Sequence, residues 1–328
     1  MSTPAWALPA LTAVLERVAA VRSDVGDRFP LFAEPGSGHW TTTGRGSWTG
    51  GFWAGLLWLR ALGTGEALDR AAAAQCTARL APWAEADTAT RGLIFWYGTA
   101  LAADDDRAAE LRARAARACL DSYDHELGLV PWGSAFGGPR LLARADASPG
   151  LVPLLATAGP EAMRAAGSHL RTHLELCLTG GTSRFDPGSG WLPFDDPPAG
   201  WSRGRAWLQL AAADAVHHLG AEELGCMPGQ SAASRLVPLA DESRPDGPCD
   251  TSAAAITAVA LLKLGHRERA VAVLEELVRV HLTGSGRLLD GCYDLGREAA
   301  VRHELVWGTF FLAYGLAVLT GLVDVHAA

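Results

Sequence analysis

Six times along this chain a helical stretch speckled with charge is followed by one that carries almost none. The charged members run Trp6–Arg22, Glu66–Leu80, Arg107–Ser122, Glu161–Leu178, Ser231–Leu239 and His266–Leu282. Their bare partners run Phe52–Leu62, Gly92–Ala102, Gly150–Thr157, Arg203–His218, Thr251–Leu264 and Leu305–Leu319. Apolar residues recur three and four apart in these stretches, which is the spacing of one face of a helix. A helix with a charged stripe can face water, whereas one without a stripe has to be buried all round. Strict alternation of the two kinds predicts an inner ring of helices wrapped by an outer ring, an all-α (α/α)6 barrel built as a single domain from residues 1–328. No sheet architecture is visible, and isolated β-structure is expected only near Leu127–Trp132 and Gly286–Tyr293.

Each bare stretch is entered through a segment rich in Trp, Gly, Ser, Thr or Asp. The segments are Ser47–Trp53, Asp87–Gly92, Arg144–Gly150, Trp201–Trp207, Asp250–Ser252 and Arg302–Gly308. If all inner helices run the same way, these lead-ins converge on one mouth. Their unpaired N–H groups and positive dipole ends then favour an anionic ligand there.

Composition excludes several classes of function. The formal net charge is −8 and is spread along the chain, with no basic face, so nucleic acid is not an expected partner. Lys263 is the only lysine and lies in an apolar helical run, which leaves phosphate-loop or Schiff-base chemistry almost nowhere to sit. The cysteines are scattered without a C-x-x-C pair, so neither a zinc knuckle nor a disulfide framework is suggested. No uncharged stretch is long enough to span a bilayer, and no basic flank and apolar run follow Met1. A cytoplasmic protein with reduced thiols, acting on a small-molecule or oligosaccharide substrate and without membrane contact, is the expectation.

In Trp201-Ser202-Arg203-Gly204-Arg205-Ala206-Trp207, Arg203 offers a planar fork for a carboxylate. Trp201 and Trp207 offer flat faces on which a sugar stacks. The same residues also fit a plain helix start, with Arg203 paired to a neighbour and the rings packed in the core. Asp146, two residues before Ser148 and three before Pro149, reads either as part of a helix-capping turn or as a carboxyl at the mouth that transfers a proton. His169 and His173 lie four apart on one helix but have no third ligand at a metal-site spacing.

Taken together and in order, these segments resemble glycoside hydrolase family 88, the unsaturated glucuronyl hydrolases. Trp48-Thr49-Gly50-Gly51-Phe52-Trp53-Ala54-Gly55 is similar to the family's W-x-x-G-F-W-x-G. Asp146 followed by Leu151-Val152-Pro153-Leu154-Leu155 resembles D-x-M-M-N-L-P-L-L with one residue inserted. Ala166-Gly167-Ser168-His169 matches A-x-x-H, the Trp201–Trp207 segment differs from W-S-R-G-Q-A-W at one position, and Asp250–Ile256 is similar to D-S-S-A-A-A-I. The resemblance implies a cofactor-free barrel acting on the 4,5-unsaturated uronic acid that polysaccharide lyases leave at a chain end. Asp146 would then be the general acid and base, Arg203 would stand near the substrate carboxylate, and Trp132 and Trp207 would line the sugar site, with Trp48, Trp201 and His169 in the matching lead-ins.

Several positions depart from the family pattern. The aspartate of its H-D-L-G becomes Thr90, the histidine of D-G-S-x-x-H is missing from 180–185, the glutamine before W-S-R-G is missing from 197–200, and W-G-D-Y becomes Trp307-Gly308-Thr309-Phe310. Two further readings therefore stand beside hydration of an unsaturated uronide: the same barrel recruited to another proton transfer on a small molecule, and a binding protein without catalysis.

Overall fold

A computed structural model describes residues 3–178, 181–224 and 235–328. The charged stretches form α1 (Ala7–Val25), α3 (Ala67–Ala78), α5 (Asp106–Asp121), α7 (Pro160–Cys177) and α10 (Arg267–Glu276), the last continuing as a π-helical turn, Leu277–His281. The bare ones form α2 (Gly50–Thr64), a π-helical turn Gly92–Trp96 running into α4 (Tyr97–Thr99), α6 (Leu151–Ala156), α8 (Ser202–Leu219), α9 (Thr251–Lys263) and α11 (Val306–Thr320). Burial follows the charge pattern. Helix α5 buries one stripe, Ala108, Leu111, Ala115, Ala116 and Cys119, and its N-cap Asp105 accepts the Ala108 amide. Helix α11 has no charged residue and is buried without a break from Val306 to Ala317.

The bare helices pack in a closed circuit: α2 on the 92–99 segment, that segment on α6, α6 on α8, α8 on α9, α9 on α11, and α11 back on α2. The charged helices lie outside, each against the inner members beside it. The outer helix expected over Ser231–Leu239 is a correction. Residues 231–234 lie outside the described residues, and 235–239 is turn and bridge, with Leu239 paired to Cys249. Pro238 lacks the amide a helix needs, and its carbonyl accepts the Asp250 N–H instead.

The two sheets also correct the sequence-based expectation. One has the order β2–β1–β7–β6, from β1 (Phe29–Ala33), β2 (Trp40–Thr43), β6 (Gly291–Asp294) and β7 (Ala299–Leu305). The other has the order β3–β4–β5, from β3 (Leu142–Ala143), β4 (Thr182–Asp186) and β5 (Gly190–Phe194). Such short strands leave too few residues for an alternating pattern to stand out. The pairing of Phe32 with Leu305 also joins opposite ends of the chain, which no local signal marks. Both sheets position lead-ins: β7 runs directly into α11, and β3 ends just before Arg144 and Asp146.

The inner helices enter the ring backbone against backbone. At Gly150 φ is +71°, and a Cβ there would lie 2.5 Å from the Gly92 carbonyl oxygen; a Cβ on Gly92 would lie 2.2 Å from the Leu151 nitrogen. Only glycine tolerates both the dihedral and the approach. At the other end of the barrel Lys263, near the C-terminal end of α9, meets the fully buried Asp214 of α8. Among the described residues no helix is long and apolar enough to cross a membrane. Gly150→Ala is expected to destabilise the fold by more than about 1 kcal/mol, since strain and clash add. Chemical denaturation checks this, and unchanged stability would show that the turn can shift freely.

Candidate active site

Converging inner-helix entries bring the lead-in side chains to one end of the ring. On one side the Trp48 ring lies 4.9 Å from Trp307 and 6.3 Å from Tyr293, and Tyr293 lies 6.0 Å from Phe32. These rings form an aromatic wall between the α2 and α11 entries and the β6 strand. Trp207 sits below it with 0% exposure, stacked 6.2 Å from Phe52, so it supports the wall from inside and presents no face to solvent.

Arg203 lies between the wall and the α9 entry and is 3% exposed. Its guanidinium binds Asp250 Oδ2 and donates to the carbonyls of Cys292 at 2.6 Å and Tyr293 at 2.7 Å. It also lies over the rings of Trp201, at 5.0 Å, and Trp307, at 5.5 Å. The other Asp250 oxygen accepts from the Ser252 amide and hydroxyl and from the Cys292 amide. Of the two readings open for Arg203 in the sequence, this geometry is that of the paired helix-start arginine.

Opposite the wall, Asp146 sits on a short 3-10 turn, Ala145–Ala147. It caps no helix, because α6 begins after Gly150 without a side-chain cap and both Asp146 oxygens face Arg144. Arg144 Nε and Nη2 donate to them at 3.1 and 3.2 Å, while the two side chains keep 19% and 17% exposure. The Arg144 backbone is extended, at φ −127° and ψ 139°, and runs straight into the 3-10 turn that carries Asp146. Its guanidinium also lies 4.5 Å over the Trp132 ring and donates through Nη1 to the Asp196 carbonyl at 3.2 Å. Burial works to lower the Arg144 pKa, and the charge and hydrogen bonds of Asp146 more than reverse it, so the cation is held above its ordinary range.

Behind this turn, His169 of α7 accepts the Val130 amide at Nδ1, and its Nε2 lies 3.3 Å from the Ala147 carbonyl. The acceptor role of Nδ1 places the proton on Nε2, which donates to Ala147 and anchors the Asp146 turn. Burial, then the neighbouring His173, holds His169 well below the usual histidine range against the opposing hydrogen bond to Ala147. His173 is pushed down to about 4 by burial, with its bond to the His169 carbonyl and the nearby Asp146 working the other way. Its Nδ1 donates to that carbonyl at 2.7 Å, and its Nε2 has no hydrogen-bond partner among the described residues. Among the described residues no three His, Cys, Asp or Glu are grouped to hold a metal.

Thr90 is buried and bonds Thr88 through their hydroxyls at 2.9 Å, so position 90 carries no charge. The nearby Asp87 turns outward to Ser134 and Arg140. Partial burial works upward on its carboxyl, and Arg140 and Ser134 overcome it and hold the group below the usual carboxylate range. At the sixth entry, Thr309 Oγ1 and Trp307 Nε1 are buried without hydrogen-bond partners among the described residues.

Sequence reasoning named Asp146, Trp132, Trp48, Trp201 and His169 but passed over Arg144, Tyr293 and the role of Asp250. For Arg144 the sequence showed a cation two residues before an acid, but the 3-10 turn that brings the two side chains together has no clear local mark. Tyr293 reaches the mouth only through β6–β7 pairing, which has no local signature.

A closed ring of inner helices wrapped by outer ones defines a fold class, the α/α barrels. No family model matches the chain. Among curated proteins it is 26% identical over 276 residues, 73% of this chain and 72% of its relative, to an unsaturated glucuronyl hydrolase of Bacillus sp. strain GL1. The crystal structure of a Bacillus sp. GL1 unsaturated glucuronyl hydrolase superposes with a TM-score of 0.81 at 21% identity, covering 95% of this chain and 96% of that one. An unsaturated glucuronyl hydrolase specific for heparin gives 0.83 at 18% identity, covering 97% and 98%. One from Streptococcus agalactiae gives 0.79 at 18%, covering 97% and 92%. The chain is similar in sequence to an unsaturated glucuronyl hydrolase and shares the fold of these proteins.

Two measurements test this geometry. Arg203→Ala leaves Asp250 buried and uncompensated, and a loss of about 3–5 kcal/mol is expected in denaturant titration; a near-neutral result would mean that water reaches the carboxylate. For His173, the unfolded chain takes up a proton below about pH 6.5 that the folded chain refuses until about pH 4, so its contribution to stability is full above pH 6.5 and is lost as pH falls. A loss on the order of 2 kcal/mol between pH 7 and pH 5 is expected from this group. His173→Gln should flatten the slope of stability against pH in that window, and an unchanged slope would remove His173 from the account.

Proposed function

We propose that the protein hydrates a 4,5-unsaturated uronic acid at the end of a saccharide and releases the attached sugar, with Asp146 as general acid and base. The observation that carries this reading is the placement of Asp146. It is a partly exposed carboxyl that caps nothing, held at the ring's mouth beside a cation and the Trp132 ring. The likeness to unsaturated glucuronyl hydrolases supports the same reaction.

In this reaction the Asp146 carboxylic acid gives its proton to C4 of the vinyl ether, and the resulting carboxylate takes a proton from the water that adds at C5. The product is a hemiketal, whose ring opens and expels the sugar alcohol; one water is consumed and Asp146 is restored. Because the anomeric carbon is not attacked, the spacing of two carboxylates that governs ordinary glycosidases does not apply. A single acid is enough for proton delivery and water activation in turn. That makes the reaction compatible with the uncharged Thr90.

Supporting roles follow from position. Trp48 and Tyr293, backed by the fully buried Trp307, offer a stacking wall for a sugar ring. Arg203 acts as a positioning residue that fixes Trp201, Trp307 and the β6 carbonyls, and Trp207 braces the wall from inside. His169 holds the Asp146 turn through the Ala147 carbonyl.

The paired threonines at 88 and 90 favour one second reading, in which the same acid protonates a different anionic small molecule and no glycosidic bond breaks. Incubation with unsaturated disaccharides from chondroitin, pectin and gellan digestion separates the two, followed by the ultraviolet absorbance of the conjugated enol-ether carboxylate. Loss of absorbance with release of the second sugar is expected from at least one of them. Absence of loss with all of them sinks the hydration reading and leaves the second. Asp146→Asn should abolish turnover, by a factor of at least ~100 for a lost acid–base group, while melting as the parent does.

A further inference from the structure

Arg144 is placed where a carboxylate receptor should be, and nothing in the proposed reaction yet uses it. The other arginine of the mouth, Arg203, is 3% exposed and committed to Asp250 and two carbonyls. Like Arg203, Arg144 lies over an indole ring, that of Trp132, but it is partly exposed and its two edges have unlike partners. The Nε–Nη2 edge grips the Asp146 carboxylate with two bonds, whereas among the described residues Nη1 donates to the neutral Asp196 carbonyl, at 3.2 Å, beside an exposed turn. A guanidinium presents two such edges, each matched to a carboxylate, and an anion displaces a neutral carbonyl at little cost.

We propose that Arg144 is the specificity-determining residue for the uronate, binding the substrate carboxylate on its Nη1 edge while Asp146 keeps the other, so that Asp146 takes up a proton when the substrate binds. This deepens the hydration reading and rests on it. Two carboxylates on one guanidinium cannot both remain ionised without cost, and the pair retains one proton, as carboxylates sharing a site do. Solvent supplies that proton. It resides on Asp146, next to the C4 that must receive it, and returns to solvent when the product leaves and the Arg144 fork closes again. Among the described residues, the other ionisable groups that act on the pair are Cys177 and His173 of α7 and Asp196, whose backbone carbonyl accepts from Arg144. The Cys177 thiol is held up at about 12, chiefly by burial, and His173 down at about 4, so neither competes for the proton near neutral pH. In the free protein Arg144 holds both Asp146 oxygens, and the acid form is made when an anionic ligand takes the other edge.

The test uses saturated glucuronate, with glucose as the uncharged control, in calorimetry repeated in buffers of different ionisation enthalpy. Glucuronate is expected to bind with net uptake of up to one proton in the parent protein, and in Asp146→Asn to bind without uptake. Arg144→Gln should weaken glucuronate binding by on the order of 100-fold and leave the weak binding of glucose unchanged. Arg144→Lys keeps the charge without the second edge and should restore part of the affinity but not the proton uptake. Melting curves confirm that each variant is folded. Binding without proton uptake in the parent, or parental affinity for glucuronate in folded Arg144→Gln, overturns the proposal. If glucuronate behaves as expected while no unsaturated uronide is turned over, the hydration reading fails and the receptor stands. Turnover with a KM insensitive to Arg144→Gln removes the receptor alone.

Discussion

The buried ion pair between Arg203 and Asp250 is the joint on which the mouth depends. It links the first turn of α8 to the N-cap of α9, and through the carbonyls of Cys292 and Tyr293 it draws in strand β6, which is paired to β7 and so to the start of α11. A charge pair in the interior is not by itself a source of stability, because removing both ions from water costs about as much as their attraction returns. Here the desolvation is offset by full satisfaction: Asp250 also accepts from Ser252 and Cys292, and the guanidinium lies against two indole rings. The result is geometric. Three elements distant in sequence are held in one register, and the Trp48–Trp307–Tyr293 wall follows from it.

Charge across the mouth is distributed in a way that matters for chemistry. Thr90 leaves position 90 neutral, and Asp87 is drawn outward by Arg140, so the acid that faces inward is met by the cation Arg144. This balances a carboxylate in a partly dry setting and keeps the free site near neutrality. A second inward acid would instead have raised the charge of the site and made capture of an anionic ligand more costly.

Much of the ring was legible because it rests on a one-dimensional signal. The bare runs in α9 and α11 have to be buried, and the striped runs in α5 and α7 can face water, so inner and outer places follow from composition along the chain. The lead-ins marked Asp146, Trp48 and the Trp201–Trp207 segment for the same reason, as polar and aromatic groups placed just before apolar helices. Over 235–239 the expected helix fails because its short apolar spacing mimics a weak helix while Pro238 breaks one. The sheets were missed because their strands are short and their partners remote.

What the sequence determined by itself is the order of burial and the identity of the groups at the mouth, since both depend on residue type and local spacing. The tertiary structure decided what those groups do to each other. It turned Arg203 from an apparent ligand into a buried joint, turned Trp207 inward, and set Arg144 on Asp146 and Trp132. A side chain's chemistry is fixed by its atoms, but whether its hydrogen bonds are filled or open depends on which distant backbone reaches it, and that is settled only when the ring closes.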